Sequence, residues 1–171
     1  DLGPTGRTET VRLLHGLGIM PLEHGTVSDL GAFRLLAINF VGGRMASDTI
    51  ADPNDLGWVC GLHAAPPLIA FVHWGEEYVT TPADEESQIA DALARCGVSL
   101  IVGNHSHQTS GTIVPLRGGG AQMVYSLGNL IFDQSSPRGS GALLEVRTFK
   151  QGTVAARLLP IPNLFDLTRA P

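Results

Sequence analysis

Two short apolar runs with one well-marked amphipathic helix between them constrain this chain most. Residues 67–72 read Pro-Leu-Ile-Ala-Phe-Val, and residues 98–102 read Val-Ser-Leu-Ile-Val. Both have the length and apolar character of short buried strands. Between them, Thr81 is the expected N-cap and Pro82 the first helical residue. Asp84 to Glu86 follow as acid in the first turn, where the helix dipole favours it. Ile89, Leu93 and Cys96 form the inner face, and Gly97 ends the helix. Strand, helix and strand in this order predict an α/β core.

The flanking segments extend that core. Thr5–Gly16 places Val11, Leu14 and Leu17 at helical spacing, with Gly18 as the stop. Ile19–Leu22 is a short strand candidate and Phe33–Phe40 a better one. Residues 42–53 read as loop, and Asn54 or Asp55 caps an expected helix running through His63. In the last third, Thr112–Leu116 and Gln122–Ser126 flank Arg117-Gly118-Gly119-Gly120, while Ala142–Phe149 and Thr153–Pro160 flank Lys150-Gln151-Gly152. These are two antiparallel hairpins finishing the α/β core. No internal repeat or linker divides residues 1–171, so a single domain is expected.

A chain of 171 residues can bury a full core. Its net charge of −5 and the lack of a basic stripe give no electrostatic footprint for nucleic acid. No apolar run reaches the length of a membrane span, and no stretch of residues 1–171 reads as a signal peptide. Cys60 and Cys96 lie among apolar residues of expected helices and read as buried thiols, not as a disulfide framework or a zinc knuckle. The chain starts at Asp1 without Met and enters a helix signal almost at once, from which a segment upstream is expected.

Each central apolar run ends at histidine: His73 after the first, His105 and His107 after the second. Side chains at the C-terminal ends of neighbouring strands face the crevice where open α/β sheets bind ligands. Neutral imidazole is a strong ligand for divalent transition metals, so three of them suggest a metal site. A lone histidine is more often a hydrogen-bonded structural residue. His15, late in a helix, His24, in a Gly-flanked turn, and His63 are assigned to that class. In His73-Trp74-Gly75-Glu76-Glu77-Tyr78, Glu77 is a candidate to orient water or substrate or to act as acid/base. The alternative is a solvated acidic loop with Trp74 packed on the core. In Tyr125–Gln134, Ser126, Asn129 and Asp133 are candidates for the crevice rim, against a turn held by side-chain caps.

Gly103-Asn104-His105-Ser106-His107 resembles the Gly-His-x-His signature of calcineurin-like metallophosphoesterases, with Asn104 inserted. Gly103 would permit a tight turn that brings backbone near the metals. Three segments together resemble the bacterial capsule-synthesis family of CapA/PgsA type, associated with poly-γ-glutamate. His73–Tyr78 matches its His-Trp-Gly-x-Glu-Tyr motif. Gly103, His105 and His107 match Gly-x-His-x-His with a following Gln. Tyr125–Asp133 matches Tyr-Ser-Leu-Gly-Asn-Phe-x-Phe-Asp, with Leu130 in place of the first Phe. The Asp1-Leu2-Gly3-Pro4 start resembles the stretch after the family's Asn-Asn-His, which makes Asp1 that motif's aspartate.

The resemblance implies a calcineurin-like, metallophosphatase-type layered α/β fold with a metal-dependent hydrolytic site. It implies His73, His105, His107 and Asp1 as metal ligands and His73 and Glu77 as catalytic groups. Ser126, Asn129 and Asn104 are implied on the substrate side. Zinc, manganese or iron suits such ligands. The family's first strand, with its Gly-Asp motif, and its Asn-Asn-His loop are not in this sequence, which leaves a second metal short of carboxylate. A sheet edge left bare by that strand favours a homodimer or binding of the missing segment. The expected activity is hydrolysis of an ester, phosphoester or amide bond in a capsule polymer or its precursor. The alternatives are a non-catalytic polymer-binding or assembly subunit and a phosphoesterase acting on an anionic small molecule. A cell-envelope or secreted location goes with the resemblance.

Overall fold

The computed structural model describes residues 3–42, 50–62, 67–117, 120–130, 141–149 and 153–162. In chain order the elements are α1 (Gly3–Gly16), β1 (Val27–Asp29), β2 (Arg34–Asn39), α2 (Gly57–Cys60), β3 (Leu68–His73), α3 (Asp84–Arg95), β4 (Val98–Asn104), β5 (Val114–Pro115), β6 (Gln122–Val124), β7 (Gly141–Thr148) and β8 (Val154–Ile161).

β3 and β4, the two apolar runs, lie at the centre of a six-stranded sheet ordered β1-β2-β3-β4-β6-β5. β2, β3, β4 and β6 run parallel, and β1 and β5 pair antiparallel at the edges. Parallel strands are covered on both faces, which is why their sequences are continuously apolar. On one face Leu36, Ile38, Leu68, Ala70 and Val72 pack with Val59 of α2 and with Ile89, Ala90 and Leu93 of α3. On the other, Ile69, Leu100 and Val102 pack against Leu144 and Val146 of β7 and Val154 and Ala156 of β8. The β7–β8 hairpin is a separate two-stranded sheet. Helices, central sheet and hairpin thus make the layered α/β architecture, with the antiparallel finish the glycine-rich turns predict.

Several local expectations are corrected. Ile19–Leu22 forms no strand; Pro21 lacks the N–H a ladder needs, and Ile19, Met20 and Leu22 stay exposed. The helix expected from Asn54 is one four-residue turn, α2, preceded by an Asx turn in which Asp52 Oδ1 accepts the Asn54 N–H at 2.8 Å. His63 lies outside the described residues. Helix α3 starts two residues later than expected, with Ala83 as N-cap. The Glu86 carboxylate accepts the Ala83 N–H at 2.7 Å, the returning half of a capping box. The short edge strand β1 has no clear sequence signal.

Cys60 and Cys96 are joined in a disulfide, which corrects the reading of two buried thiols. Packing of α2 on the end of α3 brings their Cα atoms within 4.1 Å, a proximity that a separation of 36 residues does not disclose. Closing a loop of that size stabilises the fold by about 3–4 kcal/mol in the chain-entropy account. Among the described residues, no helix is long and apolar enough to cross a membrane.

Candidate functional site

The parallel register sets the site. Asn39 at the end of β2 pairs with His73 at the end of β3, and His73 pairs with Asn104 at the end of β4. Three polar side chains therefore stand in a row along the C-terminal edge of the sheet, where the apolar runs stop. His105 and His107 follow in the loop after β4. The His73 and His105 rings meet edge to face with centroids 4.5 Å apart, and the His105 and His107 centroids lie 6.5 Å apart. The three histidines singled out from the sequence are therefore neighbours.

Buried neighbours hold the loop that carries them. Ser106, between the two histidines, is buried; its hydroxyl donates to the Gln108 carbonyl at 2.8 Å and accepts the Gln108 N–H at 3.3 Å. The Ser106 carbonyl accepts the Tyr78 N–H at 2.7 Å, which ties the loop after β4 to the loop after β3. Turning Ser106 inward leaves the side chains on either side to face the crevice. The backbone cost is visible: among the described residues, only Tyr78 (φ 67°), His105 (φ 98°) and His107 (φ 59°) are non-glycine residues in left-handed conformations. The Tyr78 ring stacks on His107, with centroids 6.1 Å apart.

Gly103 acts differently from the tight turn expected of it. It lies within β4, and a Cβ there would overlap the Tyr125 carbonyl and the Trp74 indole nitrogen. Gly75, in contrast, does turn the chain, at φ 77°, and a Cβ on it would run into the Tyr125 hydroxyl.

Hydrogen bonds define two of the imidazoles. His73 Nδ1 pairs with Asn104 Oδ1, and His107 Nδ1 pairs with Asn129 Oδ1 at 2.9 Å. The pKa of His105 is lowered, first by burial, then by the nearby His73 and, less strongly, His107; the Glu77 carboxylate acts in the opposite sense. His105 is therefore biased toward the neutral form that can ligate a metal.

Glu77 is exposed in the turn after β3 and is close enough for its charge to act on His105. Asn104 and Asn129, expected on the substrate side, are drawn to the histidines. Ser126 is fully buried, and its hydroxyl accepts the Gly128 N–H at 3.1 Å, so it holds a turn rather than lining the crevice rim. Asp1 and Asp133 lie outside the described residues. His24 has a structural bond, its Nδ1 accepting the Asn39 N–H at 3.0 Å. Sequence alone assigns no role to Asn39 or Tyr78; Tyr78 lies within the His73–Tyr78 motif, whereas only the strand register reveals Asn39.

Among the described residues, no three His, Cys, Asp or Glu side chains form a group able to hold a metal ion. The imidazoles suit such an ion in kind, but His73, His105 and His107 as placed do not make such a group on their own.

Residues 57–134 match the family model described as bacterial capsule synthesis protein PGA_cap. The chain is 37% identical over 101 residues to the PGA biosynthesis protein CapA of Bacillus subtilis (strain 168), a match covering 58% of this chain and 25% of that protein. It is 33% identical over 95 residues to the capsule biosynthesis protein CapA of Bacillus anthracis, covering 55% of this chain and 22% of that one. The chain thus spans about a quarter of the length of these curated relatives. A crystal structure of a hypothetical protein from Thermus thermophilus superposes with a TM-score of 0.49 at 15% identity, over 80% of this chain and 62% of that one. The matched family segment contains all three histidines, and over it the chain is similar to the bacterial capsule synthesis family and to the two CapA relatives.

Proposed function

We propose that the chain contributes His73, His105 and His107 as imidazole ligands to the centre of a metal-dependent capsule-synthesis hydrolase, a centre that needs further ligands from outside the described residues. One observation carries this reading: all three left-handed non-glycine residues described lie within this crevice, two of them histidines. Such strain costs about 1–3 kcal/mol per residue and tends to persist at ligand and active sites, where the surroundings over-determine it.

Zinc, manganese or iron fits imidazole donors. The remaining ligands would have to come from elsewhere; Asp1, the aspartate suggested by family resemblance, lies outside the described residues. When bound, such an ion supplies a water of lowered pKa and polarises the substrate oxygen. The chain's own residues do the rest. Burial biases His105 toward its neutral form, Asn104 and Asn129 orient the neighbouring rings, and Glu77 orients water or takes its proton. The bond cleaved is an ester, phosphoester or amide in an acidic capsule polymer such as poly-γ-glutamate, or in its precursor. The layered α/β core is read as metallophosphatase-type. The Cys60–Cys96 disulfide supports a cell-envelope or secreted setting, because such bonds persist in oxidising compartments.

The test is turnover of phosphodiester, carboxylester and γ-glutamyl amide substrates with added manganese or zinc, beside a His105→Ala/His107→Ala variant. Turnover that needs both metal and histidines is expected. Polymer binding that survives the substitutions, with no turnover, would point instead to a binding or assembly subunit. Turnover confined to small phosphodiesters would point to a small-molecule phosphoesterase.

A further inference from the structure

Two histidines of the crevice share one device. His73 reaches its asparagine through strand register, because β3 and β4 place His73 beside Asn104. His107, in the loop after β4, reaches Asn129 across 22 residues, and Asn129 is buried in the segment that follows β6. In both pairs the ring nitrogen is Nδ1 and the amide atom is Oδ1. An amide oxygen can only accept, so the nitrogen facing it must carry the hydrogen. A neutral imidazole has one ring hydrogen, and the lone pair is then on Nε2. Asparagine achieves this without adding a negative charge beside the ring, as a carboxylate would.

We infer that Asn104 and Asn129 are positioning residues that hold His73 and His107 in the Nδ1–H tautomer, which puts the lone pair of each ring on Nε2. The purpose of this arrangement rests on the proposed metal centre; the tautomers themselves do not. Outer partners of this kind fix ligand orientation, and their loss typically weakens metal affinity about 10–100-fold.

Long-range proton–nitrogen NMR of the nitrogen-15-labelled, metal-free protein, above the imidazole titration range, reads the tautomers directly. His73→Gln and His107→Gln variants assign the signals. Both rings are expected to show a pyrrole-type Nδ1 and a pyridine-type Nε2; a dominant Nε2–H form at either ring overturns the inference. Asn104→Leu is expected to release only His73 and Asn129→Leu only His107. The Asp variants, which keep an acceptor oxygen, should restore the parent pattern. Unchanged tautomers in both Leu variants also overturn it, and the amide spectrum of each variant reports whether the fold is intact. Competition titration with zinc should then show about 10–100-fold weaker binding in the Leu variants and recovery in the Asp variants. If the parent has these tautomers yet binds no zinc, the positioning role stands and the metal-centre reading fails.

Discussion

The Trp74 indole N–H donates to the Tyr125 carbonyl at 3.0 Å, joining the residue after His73 to the strand end that precedes Asn129. Both side chains are buried, and their rings stack with centroids 6.0 Å apart. The bond passes Gly103, whose missing side chain leaves room for it. Trp74→Phe keeps much of the apolar contact but leaves the Tyr125 carbonyl unpaired. It should lower unfolding free energy by about 1–3 kcal/mol in a urea titration.

Gly103→Ala tests the same junction from the other side. A methyl group there meets backbone and an indole nitrogen, neither of which is a flexible chain end. The loss should be about 3 kcal/mol, at the upper end of overpacking costs. Because the junction spaces the loops bearing His73 and Asn129, metal affinity should fall with it, as read by zinc titration of the folded fraction.

His105 pays for its place in the crevice with a φ of 98°. Substitution by alanine removes the imidazole but keeps a Cβ in that conformation, whereas glycine removes both. His105→Gly should therefore be more stable than His105→Ala by about 1 kcal/mol, although glycine is ordinarily the worse residue for an ordered chain. Paired thermal or denaturant unfolding of the two variants checks this.

The Cys60–Cys96 bond ties α2 to the end of α3, well away from the histidines in the fold. Cys60→Ser/Cys96→Ser should cost about 3–4 kcal/mol of stability. It should leave zinc affinity of the folded protein unchanged, as should a reducing agent.

Legibility in the sequence followed the range of the interaction. β2, β3, β4 and most of α3 were readable because burial on both faces, or on one helical face, imposes its own local pattern. The hairpins were readable from the glycines between their strands. The histidines stood out because each follows an apolar run, and strand ends bring such residues together. What escaped depends on partners far along the chain. The disulfide spans 36 residues, and the asparagine–histidine bonds span 31 and 22. Ser126 looked like a rim residue because a turn hydroxyl and a ligand hydroxyl have the same sequence signature. The start of α3 departs from its local signal because Thr81 and Pro82 make a good cap by sequence, yet Glu86 serves the Ala83 N–H instead.

The most direct test of the central claim is the metal content of the purified protein by elemental mass spectrometry, beside His105→Ala/His107→Ala. About one or two equivalents of zinc, manganese or iron in the parent, absent from the variant, are predicted for a hydrolytic centre of this kind. Equal metal content in the two proteins, or a folded parent that takes up no added metal, would contradict it.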